Sequence, residues 1–237
     1  MNKKKILLSV VALLLVCALS VAGTMALLKE NAGGVINTFV AAGGPGPFVD
    51  EGSFAIKEYS YTQDSNGAYV KGELVTGTSA NPVVNQYKVL PGTVIPKEAF
   101  VTLSRTSNSA NVTPAPAYLF LEMKNDLNSV YDVRLDDENW LPVEINDEHI
   151  TGIHGGKLFY YKDVLGAVAV GTQYAILDEN QIEVSASATE EELGTEAKNL
   201  EFYAYLSQAT ATYNGQNTSE PGFVFATCFN LNIDEYL

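Results

Sequence analysis

Short segments in which apolar and polar residues alternate, separated by glycine, proline and asparagine, make up most of this chain. Valine, isoleucine, threonine and aromatic residues dominate these segments, and such side chains fit a pleated sheet better than the crowded side of a helix. Roughly nine or ten strands follow from the pattern. The sequence therefore predicts an all-β protein, a jelly-roll-like antiparallel β-sandwich with few short helices.

Two parts of the pattern are the most specific. The segments from Phe54 to Tyr61 and from Ala68 to Val75 flank Asn66-Gly67, a pair that favours a tight turn and predicts a β-hairpin. The segment from Tyr118 to Met123 is apolar on nearly both faces, which is typical of an inner strand of a sandwich.

The remaining segments give weaker predictions. The segment from Tyr87 to Lys97 has prolines, Pro91 and Pro96, at both ends of a short apolar piece, which confines that piece to a turn or a sheet edge. Leu200 to Thr212 alternates, with Tyr203 and Tyr205 on the outer face. Further strands are predicted at Phe100–Leu103, Lys157–Lys162, Ile182–Ala188 and Phe223–Leu231. Thr189 followed by Glu192 has the spacing of a capping box and predicts a short helix.

The first residues have the three parts of a secretory signal peptide. Lysines precede an apolar run from Ile6 to Ala22, and Thr24-Met25-Ala26 supplies the small residues that an export peptidase needs. We expect cleavage at Ala26, Leu27 or Leu28. A retained membrane anchor is the alternative, since the run is at the short edge of a transmembrane helix. A lipid-modified Cys17 is disfavoured because valine precedes it.

Three regions follow from this cleavage: a signal peptide at 1–27, an N-terminal arm with a Gly/Pro linker at 28–47, and a β-sandwich domain at 48–237. The arm holds an apolar segment from Val35 to Ala42 between glycine pairs. It predicts one potential strand on a mobile tether. The residues of this strand are Val35, Ile36, Thr38, Phe39 and Val40.

The chain is strongly acidic. Its formal net charge is −14, and loss of the leader removes three of 14 Lys and Arg and none of 28 Asp and Glu, which leaves −17. Such a surface repels phosphates, so we expect no nucleic acid partner, and contact with a membrane only through the leader before cleavage. The acidic clusters Asp136–Glu138 and Glu190–Glu192 lack the alternating ligands of a calcium loop and indicate solvated faces.

No pattern of residues predicts a catalytic site or a cofactor. The two histidines, His149 and His154, are five residues apart and lack the glutamate of a zinc-protease helix. We interpret them as loop residues, and a metal site that includes Glu144, Asp147 or Glu148 is the weaker alternative. Gly-x-Ser-x-Gly is absent from the sequence. The chain is therefore predicted not to be an enzyme.

Two further residue types allow alternatives. Cys228 is the sole cysteine after cleavage, which excludes an intramolecular disulfide, and the apolar run around it favours a small buried residue over a reactive thiol. The sequence contains 13 tyrosines. We interpret Tyr203 and Tyr205 as the outer face of a strand, and a carbohydrate-binding surface of tyrosine rings is the weaker alternative.

Several motifs together resemble the TasA and camelysin (CalY) family. They are Ala22-Gly23-Thr24-Met25-Ala26-Leu27-Leu28, Asn37-Thr38-Phe39-Val40-Ala41-Ala42-Gly43, Leu90-Pro91-Gly92 with Pro96-Lys97, Ala117-Tyr118-Leu119-Phe120-Leu121, Lys157 to Leu165, and Tyr205-Leu206-Ser207-Gln208-Ala209. The resemblance implies export through a SipW-type signal peptidase. It also implies a jelly-roll protein of a Gram-positive biofilm matrix, whose arm enters the next subunit as a strand, with other matrix proteins as further partners.

Physical chemistry favours the same function. An apolar arm released by cleavage is an aggregation liability until it pairs with a sheet edge, and a second copy offers such an edge. We therefore expect a secreted fibre subunit that is its own partner. A camelysin-like metalloendopeptidase and a cell-surface adhesin or carbohydrate-binding module are the alternatives.

Overall fold

The computed structural model describes residues 32–37, 54–76, 83–105, 115–194, 198–232 and 236. Antiparallel strands dominate these residues. The strands are β1 (Ala32–Asn37), β2 (Ala55–Gln63), β3 (Tyr69–Thr76), β4 (Val83–Lys88), β5 (Val94–Pro96), β6 (Ala99–Arg105), β7 (Ala117–Asn125), β8 (Tyr131–Asp132), β9 (Trp140–Pro142), β10 (Glu144–Ile145), β11 (Glu148–His149), β12 (Lys157–Tyr161), β13 (Val168–Ala175), β14 (Gln181–Val184), β15 (Leu200–Gln208), β16 (Ala211–Tyr213) and β17 (Gln216–Thr218).

Helical structure is limited. The described residues contain α1 (Glu190–Leu193), α2 (Pro221–Phe229) and a 3-10 turn at Asp178–Asn180. Neither helix has the length and apolar character that a membrane crossing requires. The predicted leader, including its apolar run, lies outside the described residues.

Two four-stranded sheets form the sandwich, one in the order β15-β7-β12-β9 and the other in the order β13-β6-β2-β3. A three-stranded sheet, β5-β14-β8, adjoins them. The main core contains inward side chains from both large sheets, among them Ile56, Val101, Leu103, Leu119, Leu121, Phe202 and Leu206. The predicted all-β sandwich is confirmed.

A second core covers the other face of the first sheet. It contains alternate residues of β7 and β15 together with α2, including Tyr118, Phe120, Tyr203, Tyr205, Val224 and Phe225. The Phe225 ring lies 4.9 Å from Phe120 and 5.3 Å from Tyr205, in edge-to-face contacts that favour aromatic packing. The sheet is therefore buried on both faces, between the sandwich and the helix.

The predicted hairpin is confirmed as β2 and β3. The Asp64 carboxylate accepts hydrogen bonds from the backbone N–H groups of Asn66 at 2.8 Å and Ala68 at 2.9 Å. Gly67 has a φ of 83°, a conformation that glycine adopts without strain. The turn chemistry therefore sets the pairing, which closes at Gln63 opposite Tyr69.

Other predicted elements also occur in the structure. β7 is an inner strand between β15 and β12, and β5 is an edge strand beside β14. β12 and β14 lie within two further predicted strands. Helix α1 begins after Thr189, whose side chain and that of Glu192 form the predicted capping box. The capping box satisfies two backbone donors that the helix itself leaves unpaired.

The predicted strand from Phe223 to Leu231 is wrong, because this segment is mostly helix α2. Pro221 occupies the first turn, where its missing N–H costs nothing, and Asn230 ends the helix with a left-handed φ of 55°. The segment is apolar all round, so its pattern does not distinguish a buried helix from a strand. Burial of Val224 and Phe225 against the sheet favours the helix.

Two predictions that depended on strand geometry are also corrected. Tyr203 and Tyr205 do not lie on an exposed outer face, since α2 and its neighbours bury both, so they do not form a carbohydrate platform. Cys228 is exposed in the last turn of α2, not buried in a strand. Both differences have one cause, the packing of a helix on the sheet.

Candidate functional site

The N-terminal strand β1 pairs antiparallel with β4 of the same chain. Gly33 lies opposite Tyr87, Gly34 opposite Gln86, and the strand ends with Asn37 opposite Val83. β1 also contacts β15, which is an edge strand of the sheet β15-β7-β12-β9. We call the position of β1 beside β4 and β15 the arm site. β1 and β4 form a two-stranded sheet of their own, and β1 is far from both β4 and β15 in sequence.

The predicted arm residues fall partly within this strand. Val35 and Ile36 belong to β1, whereas Thr38, Phe39 and Val40 lie outside the described residues. The predicted cleavage residues, Ala26, Leu27 and Leu28, also lie outside them. The strand begins at Ala32, so Gly33 and Gly34 are part of it and do not form the predicted hinge. Glycine within a strand is typical of a close approach by a neighbouring group.

Beneath the arm site is a cluster of three buried side chains, which we call the Glu58 cluster. Glu58 Oε1 accepts a hydrogen bond from Lys97 Nζ at 2.9 Å and one from the Tyr87 hydroxyl at 3.2 Å. Glu58 and Lys97 are fully buried, and Tyr87 is 2% exposed. Tyr87 thus connects β4, the partner of β1, to an ion pair in the sandwich core.

The electrostatics of the Glu58 cluster follow from its burial. Burial lowers the pKa of Lys97, and the adjacent Glu58 opposes that shift. Burial, followed by the Glu58 charge and hydrogen bond, raises the pKa of Tyr87, so its hydroxyl remains a donor. The cluster is therefore a fixed polar group, because a buried charge that loses its partner is costly.

A second cluster lies on the helix-covered face, and we call it the Glu122 cluster. The buried carboxylate of Glu122 accepts backbone N–H bonds from His154 and Gly156, both at 2.8 Å, and a hydroxyl bond from Tyr205 at 2.6 Å. His154 Nδ1 lies 2.9 Å from the Tyr205 hydroxyl oxygen, and its ring stacks at 3.7 Å on Tyr203. Burial and then Glu122 raise the pKa of Tyr205.

Two glycines allow this loop to approach the strand so closely. A Cβ added at Gly152 meets the Glu122 carboxyl carbon at 2.3 Å, and one at Gly156 meets the Met123 carbonyl oxygen at 2.7 Å. Both distances are far inside van der Waals contact. The cluster therefore fastens the loop between β11 and β12 to β7, and its carboxylate is already saturated with donors.

The structure separates the two histidines. His149 lies edge-on to Phe159, with ring centres 5.3 Å apart, and its buried Nε2 has no hydrogen-bond partner among the described residues. His154 belongs to the Glu122 cluster. Across the described ranges, no three His, Cys, Asp or Glu side chains are grouped so that they could hold a metal ion.

Sequence reasoning missed the two buried carboxylates at the centres of these clusters, Glu58 and Glu122. Glu58 follows Ile56 on the core face of β2, and Glu122 follows Phe120 on the helix-covered face of β7. A charged residue in register with apolar core residues is a usable signal, because it requires a buried partner. The partners themselves are distant in sequence.

The fold and the arm site define an all-β sandwich whose N-terminal strand pairs with a strand that is distant in sequence. Comparison of the chain with protein-family models, with curated proteins and with solved structures found no match.

Proposed function

We propose that this protein is a secreted structural subunit of an extracellular biofilm matrix, which assembles into fibres when the arm of one copy enters the arm site of the next. The observation that carries the proposal is the pairing of β1 with β4. Its partner in this role is a second copy of the chain, and its task is structural, with no catalytic step or cofactor.

The position of β1 supports exchange between copies. β1 is joined to β2 by residues 38–54, a connection that is long enough to span roughly 55 Å when extended. The same connection therefore reaches the arm site of a neighbouring molecule. Exchange of an identical element between protomers adds no new type of contact, which makes it a low-cost route to assembly. Head-to-tail exchange that does not close into a ring gives a filament.

The sequence supports the place of action. The leader at 1–27 favours export, and the family resemblance adds a SipW-type signal peptidase and other matrix proteins as partners. Cleavage near Leu28 frees the N-terminus of the arm. The proposed site of function is thus outside the cell, with the membrane involved only before cleavage.

The test is a deletion of residues 28–42, with the leader retained so that export is unchanged. We expect the exported variant to remain monomeric, while the parent protein forms fibres visible by electron microscopy. A synthetic peptide of residues 28–42, added to the parent protein, should shorten the fibres by occupying arm sites, and a scrambled peptide is the control. Fibres of undiminished length from the deletion variant contradict the proposal.

A further inference from the structure

We propose that Gly33 sets the register in which one copy of this chain accepts the arm of another, because Gly33 is the arm residue that faces the immobile side chain of Tyr87. The inference rests on the proposed function, since it specifies how strand exchange between copies selects one alignment. The partner is a second copy of the chain. The determining pair is Gly33 of the donor and Tyr87 of the acceptor.

The first step is the fixed position of Tyr87. Its hydroxyl donates to Glu58, which also holds Lys97, and its ring meets the Tyr69 ring edge-on at 5.9 Å. Moving Tyr87 therefore disturbs a buried ion pair. The acceptor therefore presents β1 with a buried side chain that a hydrogen bond and a ring contact hold in place.

The second step is the geometry of the pair. Directly opposed residues of antiparallel strands project to the same face, with Cβ atoms about 5 Å apart. Gly33 opposes Tyr87 and brings no side chain to that face. Ala32 and Gly34 on either side are also small, so close approach of β1 is possible at this end of β4.

The third step compares the alternative alignments. A slip of two residues places Val35 or Asn31 opposite Tyr87 and adds a side chain where the native alignment has none. A slip of one residue transfers every side chain of the arm to the other face. Only the alignment with Gly33 opposite Tyr87 keeps every arm side chain on its native face and places no side chain opposite Tyr87.

Cross-linking measures the register directly. In a Cys228→Ser background, the exported protein carries Gly34→Cys with Gln86→Cys, which are opposite in the native register. The control carries Gly34→Cys with Val84→Cys, which are opposite only after a two-residue slip. Opposed strand positions have the spacing that a disulfide requires. We expect a ladder of disulfide-linked oligomers on a non-reducing gel from the first pair and none from the control.

The outcomes separate the two proposals. A disulfide from the first pair within single chains, without oligomers, overturns the proposed function and leaves the Gly33–Tyr87 register intact. A disulfide from the control pair, or none from either pair, overturns the register. These measurements keep Gly33 and Tyr87 unchanged, so they do not depend on the folding of a variant at either position.

Substitution then tests Gly33 itself. We expect Gly33→Val to reduce the polymer fraction about tenfold or more, since the new side chain projects to the face of the opposing Tyr87 and overpacking is costly. The matched control, Gly34→Val, makes the same change one residue along on the opposite face and should keep polymer within about twofold of the parent. Size-exclusion chromatography with light scattering gives the fractions. Equal polymer from both variants overturns the role of Gly33.

Discussion

Among the residues that the structure describes, the carboxylates of Glu58 and Glu122 are both fully buried, the first in the sandwich core and the second on the helix-covered face. Glu58 is neutralised by Lys97, a buried cation at 2.9 Å. Glu122 is instead surrounded by backbone N–H groups and the Tyr205 hydroxyl. A buried carboxylate is thus stabilised by a cation in one core and by hydrogen-bond donors in the other.

This difference determines how strongly each cluster responds to the loss of one partner. Loss of Lys97 removes the counter-ion of Glu58, and the Tyr87 hydroxyl bond that remains does not neutralise the buried charge. A carboxylate held by several donors loses only one bond when one donor is removed. The Glu58 cluster should therefore fail abruptly, and the Glu122 cluster by steps.

The largest effect is expected from Lys97→Met. The variant leaves Glu58 buried without its cation and should lose about 3–5 kcal/mol of unfolding free energy, measured by urea denaturation. The double variant Glu58→Leu/Lys97→Met should recover most of this loss, because no charge remains. Lys71→Met is the control, since its ion pair with Glu98 is partly exposed and contributes less than about 1 kcal/mol. Equal losses from the two lysines contradict the comparison.

Gly152→Ala disturbs the Glu122 cluster by adding a methyl group in the loop that contacts it. The new Cβ overlaps the Glu122 carboxyl group, which four contacts from three residues hold in place. We expect a loss of about 2 kcal/mol, in the range for overpacking. Gly166→Ala has open space around it and should change stability by less than about 0.5 kcal/mol. Similar melting curves for both variants refute the close packing at Gly152.

Removing one hydroxyl from each cluster sharpens the comparison. Tyr205→Phe deletes a donor to Glu122, and hydrogen bonds to charged groups contribute about 2 kcal/mol. Tyr87→Phe deletes a donor to Glu58 but leaves Lys97 on the same oxygen, so about 1 kcal/mol is expected. Chemical denaturation of both variants at one pH gives the order, and the reverse order refutes the explanation.

The smallest expected effect concerns pH and a residue outside both clusters. Burial lowers the pKa of His149 below its ordinary value of 6.5, so the unfolded chain takes up a proton more readily than the native one. Stability from neutral His149 is therefore present above pH 6.5 and is lost as the pH falls towards the lower native pKa. His149→Phe keeps an aromatic contact with Phe159 and should lose less stability than the parent between pH 7 and pH 5. Identical losses refute this assignment.

Local signals explain what the sequence predicted correctly. The hairpin followed from Asn66-Gly67 and the capping box from Thr189 and Glu192, residues that are close in sequence. The buried clusters depend on partners far apart, 39 residues between Glu58 and Lys97 and 83 between Glu122 and Tyr205. Pairing over such distances is decided by topology, which local periodicity does not contain.

The arm and the helix show the same limit. The predicted strand that starts at Val35 overlaps β1, which begins earlier, at Ala32, and includes the glycines that were interpreted as a hinge; its partner β4 was not predicted. Helix α2 was missed because its apolar residues have no polar face to reveal their period. Pro221 at its start and Asn230 at its end were the available boundary signals.

The pairing of β1 with its own chain has a consequence for the concentration at which the proposed fibres form. A tethered strand competes for its own site at an effective concentration of about millimolar, the usual value for a short connection. Exchange with a neighbour must match that value or be favoured by other contacts between subunits. In the proposed assembly, dilute protein therefore remains self-closed, and a high local concentration of chains shifts the balance towards the polymer.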